Sequence, residues 1–268
     1  MILVTGASGQ LASTLVSAAR AVGVAVITAS RSADADRQMD FDRPETLDFG
    51  GVETLFLTSA GYAEDDVVIR RHGAVVAAAR EHGVRHIVYS SLSNDSDHLG
   101  FALAHRWTEG AIKDSGLAWT ILRNGLYAEL IGSLATPSDG SITAPFGQGR
   151  ISAVARADLA EAALAVLKSP APHAGRCYEL SGETAFSVSD IAKSLGVAYT
   201  PFSFAAERER LSQLPLLAFQ APMLMSIYAA ATGGFLETQK TDLKGLLPQP
   251  RDAFAIACAV AQGEVQIL

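Results

Sequence analysis

The sequence is poor in cysteine and in charge, and it has no apolar run that is long enough to cross a membrane. Among its 268 residues are only 2 cysteines. Cys177 and Cys258 lie far apart and match no metal-ligand spacing, so we expect two buried thiols in a reducing compartment and no metal site. Prolines interrupt the most apolar stretch, residues 214–231, and we predict no membrane span. The absence of a signal peptide before the first strand favours a cytoplasmic location.

The sequence also has no cluster of basic residues. It carries 28 acidic residues against 21 lysines and arginines, which gives a net charge of -7. A nucleic-acid-binding surface needs a basic face to neutralise phosphates. We therefore expect no nucleic-acid partner. Apolar residues make up 49% of the chain, which is enough for a sizeable core.

What the sequence does contain is a glycine-rich turn at its beginning. The apolar run from Ile2 to Val4 predicts a buried strand, and Gly6, Gly9 and Ala12 follow it at intervals of three. A strand, a glycine turn and a helix in that order present backbone N–H groups and a helix N-terminus to a pyrophosphate. The pattern predicts a dinucleotide site. The alternative is a strand-to-helix turn that binds no ligand.

Strand and helix patterns alternate through the first half of the chain. Such alternation implies a parallel sheet with helices on both faces. Apolar and β-branched runs predict further strands at residues 24–29, 39–41, 54–58, 85–89 and 118–122, and helical spacing predicts helices at 66–82 and 101–115.

The second half is less regular and predicts a smaller lobe. We expect helices at 156–167 and 187–195, strands at 176–180 and 198–202, and two or three helices in the tail. We predict an α/β fold in which residues 1–131 and 151–182 form the dinucleotide-binding domain. Residues 132–150 and 183–268 then form a small C-terminal α/β lobe over the carboxyl edge of the sheet, where open α/β folds bind ligands.

The residues after the second strand indicate which nicotinamide cofactor binds. An acidic residue there would accept a hydrogen bond from a free ribose 2′-hydroxyl, whereas the chain has Ser30 and Arg31. An arginine pairs with a 2′-phosphate, so we predict NADP, with NADPH preferred over NADH. Alternatively, Arg31 is a solvated loop charge. Asp40 suits either an adenine amino group or an ordinary turn.

Several segments resemble the NmrA-like group of atypical short-chain dehydrogenases. Together they are similar to the branch that contains quinone oxidoreductases and triphenylmethane reductases, and the resemblance weakens beyond about residue 200. It implies a Rossmann-type doubly wound parallel sheet, NADPH across its edge and a cleft under the small lobe. The segments are residues 4–11, Tyr89–Leu92, His105–Glu109, Leu122–Tyr127 and Ala155–Asp158.

The resemblance also implies roles for individual residues. Those of the glycine turn wrap the pyrophosphate, those after the fourth strand contact a ribose, those after the fifth lie beside the nicotinamide, and those after the sixth line the substrate side. In that order they are Gly6, Ser8, Gly9, Gln10 and Leu11; Thr58 and Ser59; Ser90 and Ser91; and Asn124 and Tyr127. The alternative for the two paired serines is that they bond to nearby backbone.

The helix after the fifth strand lacks the Tyr-x-x-x-Lys pair with which ordinary short-chain dehydrogenases exchange a proton. It carries His105 and Glu109 instead. Hydride transfer to a quinone needs less assistance than ketone reduction, because positioning supplies much of the rate. His105 would protonate the developing oxyanion, and Asn124 or Tyr127 would hydrogen-bond it. The alternatives are a surface pair between His105 and Glu109 and a packing role for Tyr127.

These observations predict an NADPH-dependent oxidoreductase that passes hydride to a quinone-like or cationic aromatic acceptor. The strongest alternative is an NmrA-like redox sensor that binds NADP without turnover, since such a protein has no need of the missing tyrosine and lysine. A nucleotide-sugar epimerase would require that tyrosine as its base. A homodimer is plausible, with residues 214–231 as a candidate surface.

Overall fold

A computed structural model describes residues 1–60, 62–238 and 240–264. The strands are β1 (Ile2–Thr5), β2 (Val26–Ser30), β3 (Arg37–Gln38), β4 (Thr54–Thr58), β5 (His86–Leu92), β6 (Ala118–Asn124), β7 (Ser141–Ile142), β8 (Arg150–Ile151), β9 (Arg176–Leu180), β10 (Phe186–Ser187) and β11 (Ala198–Tyr199). The helices are α1 (Gln10–Ala21), α2 (Asp65–Glu81), α3 (Ala102–Lys113), α4 (Ala128–Leu134), α5 (Arg156–Lys168), α6 (Val188–Leu195), α7 (Phe204–Ser212), α8 (Gln220–Thr232), α9 (Leu243–Leu246) and α10 (Ala253–Ala261).

Seven of the strands form one parallel sheet. Their order is β3-β2-β1-β4-β5-β6-β9, and all six neighbouring pairs are parallel. From β1 the chain adds β2 and β3 on one side, and it then crosses back to place β4 on the other side of β1. Ligands of open α/β sheets bind at the carboxyl ends of the strands where the order reverses. The predicted Rossmann-type α/β fold is confirmed, and it directs attention to the ends of β1 and β4.

Each face of the sheet is covered by its own helices and has its own hydrophobic core. Side chains of a strand alternate between the two faces. One face packs on α1 and α5 (the α1/α5 core), to which β5 contributes Val88. The other packs on α2 and α3 (the α2/α3 core), to which β5 contributes Ile87 and Tyr89. Consecutive residues at the end of a strand therefore serve opposite sides of the sheet.

A separate hydrophobic core lies in the C-terminal part of the chain, where α4 packs on α10. The two helices approach closely at Gly132, where a Cβ would lie only 3.1 Å from the Cα of Ala257. Two short two-stranded sheets, β8 with β10 and β7 with β11, complete this region. The division of the chain into two lobes at residue 131 stays a prediction.

Most predicted elements lie within a few residues of the observed ones, but three expectations were wrong. The third strand is Arg37–Gln38 instead of residues 39–41, because Met39 is buried in the α2/α3 core beyond the strand end. The described tail after residue 200 holds four helices. Cys177 is exposed, since β9 is an edge strand. Within the described residues, no helix is long and apolar enough to span a bilayer.

Candidate dinucleotide and acceptor site

The glycine turn after β1 has the geometry that its sequence requires. Gly6 has a φ of +62°, a conformation that favours glycine, and a Cβ there would lie 3.3 Å from the Cβ of Thr58. The amide of Gly9 donates to the carbonyl of Gly6 at 2.8 Å. The turn therefore brings the backbone close to the end of β4, as a phosphate-binding turn must.

Helix α1 begins directly after this turn with an open N-terminus. Gly9 is its N-cap residue; no side chain in the described part of the chain caps it, and its first turn, residues 10–13, has no acidic residue. The first backbone N–H groups of a helix lack intrahelical partners and carry partial positive charge. Because the side chain of Leu11 is buried in the α1/α5 core, its backbone amide is the group that can face an anion. The arrangement suits a pyrophosphate.

The residue that follows β2 is the arginine predicted to bind a 2′-phosphate. Arg31 is exposed there, and within the described residues no carboxylate lies within ion-pair distance of it. The Asp36 carboxylate accepts hydrogen bonds from the Thr28 amide at 2.8 Å and the Thr28 hydroxyl at 2.7 Å. These bonds lower the pKa of Asp36. Asp40 accepts the amide of Asp42 at 3.0 Å, the geometry of an ordinary turn.

Two buried polar atoms at the strand ends have no hydrogen-bond partner among the described residues. One is the Ser59 hydroxyl, next after β4, and the other is the Asn124 Oδ1 at the end of β6. The Asn124 Nδ2 donates to the Ser90 hydroxyl at 3.0 Å. An unpaired buried polar group costs about 1–3 kcal/mol, and a polar ligand along this edge would relieve that cost. Thr58 donates instead to the carbonyl of Thr5 at 2.9 Å.

Ser91 lies on the face opposite Ser90 and serves an ionic network. Its hydroxyl donates to Glu109 Oε1 at 2.7 Å, and Glu109 is only 2% exposed. Arg123 donates to the same carboxylate at 2.6 Å and Arg106 at 2.9 Å. Burial opposes the ionisation of Glu109, but the hydrogen bonds from Arg123 and Ser91 outweigh it and lower its pKa. The network ties α3 to β5 and β6, and sequence reasoning missed it.

His105 is half-buried on α3, and its environment changes the role that the sequence suggested. Its Nδ1 lies 2.9 Å from the hydroxyl of Tyr89. Burial, reinforced by the nearby charge of Arg106, lowers the pKa of His105 to about 4. The imidazole is therefore neutral at pH 7 and has no extra proton to give. The expectation that it titrates near neutrality was wrong, and the bonds and ion pairs of Glu109 do not include it.

The tautomer of His105 follows from its partner. Burial raises the pKa of the Tyr89 phenol, which thus stays protonated, and a buried hydroxyl hydrogen needs an acceptor. When the Nδ1 of His105 accepts this hydrogen, the hydrogen of the neutral ring is on Nε2. A neutral imidazole of this kind can hydrogen-bond a developing oxyanion without transferring its proton.

Tyr127 lies half-buried against the α1/α5 core. The guanidinium carbon of Arg156 lies 5.0 Å from the centre of its ring, a cation–π contact. Asn124 is on this side of the sheet with Ser90, whereas His105 is on the α2/α3 side with Tyr89. The structure thus joins Asn124 to the strand ends, gives Tyr127 a packing contact and separates both from His105 by the sheet.

A large cavity lies elsewhere, and its charged residues include several ion pairs. It measures about 910 Å³, and none of the predicted site residues lines it. Several of its charges are paired with one another, as in the contacts of Lys244 with Glu183 at 2.6 Å and of Arg251 with Asp158 at 2.5 Å. The unpartnered groups at the sheet edge make that edge the better candidate. Within the described residues, no group of three or more possible ligands could hold a metal ion.

A parallel sheet with an open helix N-terminus at its switch point, and with unpaired polar groups at the adjacent strand ends, defines a protein that binds a nicotinamide dinucleotide. The chain belongs to the NAD(P)H-binding family, whose model matches residues 6–170. It is 34% identical over 280 residues to quinone oxidoreductase 2 of Escherichia coli (strain K12), with 95% of this chain and 96% of that protein covered.

Solved structures agree with this assignment. The triphenylmethane reductase of Citrobacter sp., complexed with NADP(H), superposes with a TM-score of 0.88 at 27% identity, over 97% of this chain and 99% of that one. An NADPH-dependent quinone oxidoreductase from Escherichia coli, complexed with NADPH, superposes with a TM-score of 0.85 at 30% identity, over 96% and 98% of the two chains. The resemblance stated from the sequence is confirmed.

Proposed function

We propose that this protein is an NADPH-dependent oxidoreductase that transfers hydride to a quinone-like or cationic aromatic acceptor. One observation carries the proposal: the open N-terminus of α1 lies beside a strand end where Arg31 has no acidic partner among the described residues. This combination suits both a pyrophosphate and a 2′-phosphate. The quinone and dye reductases to which the chain is similar along nearly its whole length supply the class of acceptor.

The residues of the chain have distinct tasks in this proposal. Bound NADPH supplies the hydride. The amides of Gln10 and Leu11 bind its pyrophosphate, and Arg31 binds its 2′-phosphate. The buried Ser59 hydroxyl and Asn124 Oδ1, which are unpaired among the described residues, orient the nicotinamide half: the Asn124 oxygen accepts a hydrogen bond, and the Ser59 hydroxyl accepts or donates one. Ser90 fixes the Asn124 amide.

The acceptor follows from what these side chains can do with protons. His105 lies on the other side of the sheet from Asn124, and its lowered pKa leaves it neutral at pH 7, so it does not protonate the reduced acceptor. A hydroquinone anion is delocalised and is stable without immediate protonation, whereas an alkoxide needs an acid to protonate it. Hydride transfer reduces the quinone by two electrons and one proton, and the second proton comes from water after release. Ketone reduction would need the acid that this helix lacks.

An aromatic pair offers a place for a planar acceptor. Tyr62, in the segment between β4 and α2, contacts Phe219 at the start of α8, with ring centres 6.1 Å apart and planes at 88°. Tyr62 is 77% exposed, so most of its side chain is accessible. Offset and edge-on contacts between aromatic rings are favourable. We assign this pair to the acceptor side of the site.

The first test is oxidation of NADPH by the purified protein with a benzoquinone and with a cationic triphenylmethane dye, followed by the absorbance of the reduced nicotinamide. We expect turnover with NADPH that exceeds turnover with NADH. Tight binding of NADPH without oxidation by any acceptor would contradict the proposal and favour the redox sensor.

Three further properties belong to this proposal. The protein is cytoplasmic, binds no nucleic acid and forms a homodimer. The net charge of -7 disfavours nucleic-acid binding, because phosphates are neutralised by a basic surface. Sedimentation over a range of protein concentrations tests the dimer, and a strict monomer would exclude it.

A further inference from the structure

A fully buried histidine lies behind the candidate site and has no part in the chemistry above. His72, on α2, is 0% exposed. Its Nε2 accepts the amide N–H of Ala60 at 2.9 Å, and its Nδ1 lies 2.8 Å from the hydroxyl of Thr108 on α3. The side chain thus bridges the segment after β4 and helix α3.

The direction of each hydrogen bond in this bridge is fixed. An amide N–H can only donate, so the Nε2 of His72 is unprotonated and its Nδ1 carries the hydrogen. That hydrogen is donated to the Thr108 hydroxyl, which donates in turn to the carbonyl of Ala104 at 2.7 Å. Burial lowers the pKa of His72 to about 3, which keeps the ring neutral and in this one tautomer.

One end of the bridge formed by His72 is Ala60, which follows the candidate site residues Thr58 and Ser59. Thr58, two positions before Ala60, is tied to β1: its hydroxyl donates to the Thr5 carbonyl at 2.9 Å, and its amide donates to the Thr5 hydroxyl at 3.0 Å. Ala60 is tied to His72. Ser59 lies between these two anchors, and its buried hydroxyl is one of three buried side-chain atoms that have no hydrogen-bond partner in the described part of the chain. The anchors therefore fix the place of a group that is free to bond a ligand.

We propose that His72 is a positioning residue of the cofactor site, which sets Ser59 for the bound dinucleotide by holding the amide of Ala60. The role rests on the proposed function, because the ligand that Ser59 bonds is taken to be NADPH. His72 touches neither the cofactor nor the acceptor. Its effect passes through the backbone of a three-residue segment, which has an anchor on each side.

Two substitutions of His72 each remove one of its two hydrogen bonds and keep the other. In His72→Gln the amide oxygen reaches roughly the position of the imidazole Nε2 and can still accept the Ala60 N–H. In His72→Asn the shorter side chain reaches only the position of Nδ1 and can still donate to Thr108. Each variant leaves one partner unpaired, and the shorter asparagine also leaves a small cavity; a purely structural role of His72 predicts equal NADPH affinities as long as both variants are folded.

Positioning predicts a difference between them. We expect His72→Gln to bind NADPH within about 2-fold of the unaltered protein and His72→Asn to bind it about 10-fold more weakly, the effect of roughly one hydrogen bond. The dissociation constants are measured by calorimetry on the full chain. Hydrogen exchange of the Ala60 amide, read by NMR in the protein without cofactor, should be slow in the unaltered protein and in His72→Gln, and fast in His72→Asn.

The outcomes distinguish this inference from the function on which it rests. Equal NADPH affinities in the two variants, or fast exchange of Ala60 in the unaltered protein, overturn the role of His72 and leave the proposed function standing. Failure of the unaltered protein to bind NADPH overturns both. A nitrogen chemical shift that places the His72 proton on Nε2 also contradicts the bridge.

Discussion

The ionic network around Glu109 gives the sharpest prediction about stability. We consider Glu109→Gln, which keeps the size of the side chain and removes its charge. The carboxylate is 2% exposed and accepts hydrogen bonds from Ser91, Arg106 and Arg123. Breaking a buried ion pair by neutralising one partner costs about 3–5 kcal/mol, because the remaining charge is left uncompensated.

The structure places the expected cost at the lower end of that range. Arg123 keeps Glu179 at 3.0 Å, and Arg106 keeps Asp97 at 2.5 Å, so neither guanidinium loses every partner. We expect the free energy of unfolding to fall by about 3 kcal/mol, which lowers the melting temperature by roughly 6–12 °C for a chain of this size.

Urea unfolding measures the effect, and the chain offers a matched control. Lys113 contacts the same carboxylate at 3.5 Å, but its side chain is 37% exposed. Such an exposed pair contributes about 0–1 kcal/mol, so Lys113→Ala should change the free energy of unfolding by less than about 1 kcal/mol. A loss below about 1 kcal/mol in Glu109→Gln, or an equal loss in both variants, would refute the reasoning.

Two further predictions concern the cofactor and the pH. Arg31→Ala should weaken NADPH binding about 10-fold, as expected for one charge-assisted hydrogen bond at an exposed site, and leave NADH binding unchanged; calorimetry measures both, with the exposed Arg43→Ala as control, and equal effects on the two cofactors would contradict the assignment. Acid should destabilise the fold before the carboxylates titrate. The pKa values of His72 and His105 are lowered to about 3 and about 4 from an ordinary 6.5, so between pH 4 and 6.5 the unfolded chain binds more protons than the folded one. Their contribution to stability is complete above pH 6.5 and is lost as the pH falls: about 2 kcal/mol for each histidine at pH 5. The free energies of unfolding in urea at pH 8 and pH 5 should therefore differ by about 4 kcal/mol or more, since the pKa of His86 is lowered as well, and His72→Gln should remove about 2 kcal/mol of that difference; a stability that does not change over this range would exclude the two buried neutral rings.

Local patterns were enough to predict the framework of this protein. The strand, glycine turn and helix at residues 2–12 could be recognised because they depend only on residues that are close in sequence. The φ of +62° at Gly6 favours a glycine there, and the start of α1 follows within a few residues. The alternation of strands and helices fixed the parallel sheet for the same reason. The third strand was placed wrongly because Met39 is buried just beyond the end of that strand. An apolar run alone does not distinguish a strand from a buried segment next to one.

Only the tertiary structure decided what the polar side chains of the site do. Ser90 and Ser91 are indistinguishable in sequence, yet adjacent strand residues point to opposite faces, so one joins Asn124 and the other joins Glu109. The partners of His72 lie 12 and 36 positions away from it along the chain. The neutrality of His105 depends on desolvation, which exists only after the helices have packed. The sequence alone determined the fold and the class of cofactor because these follow from local backbone geometry and side-chain periodicity, whereas protonation states and hydrogen-bond partners depend on distant residues that folding brings together.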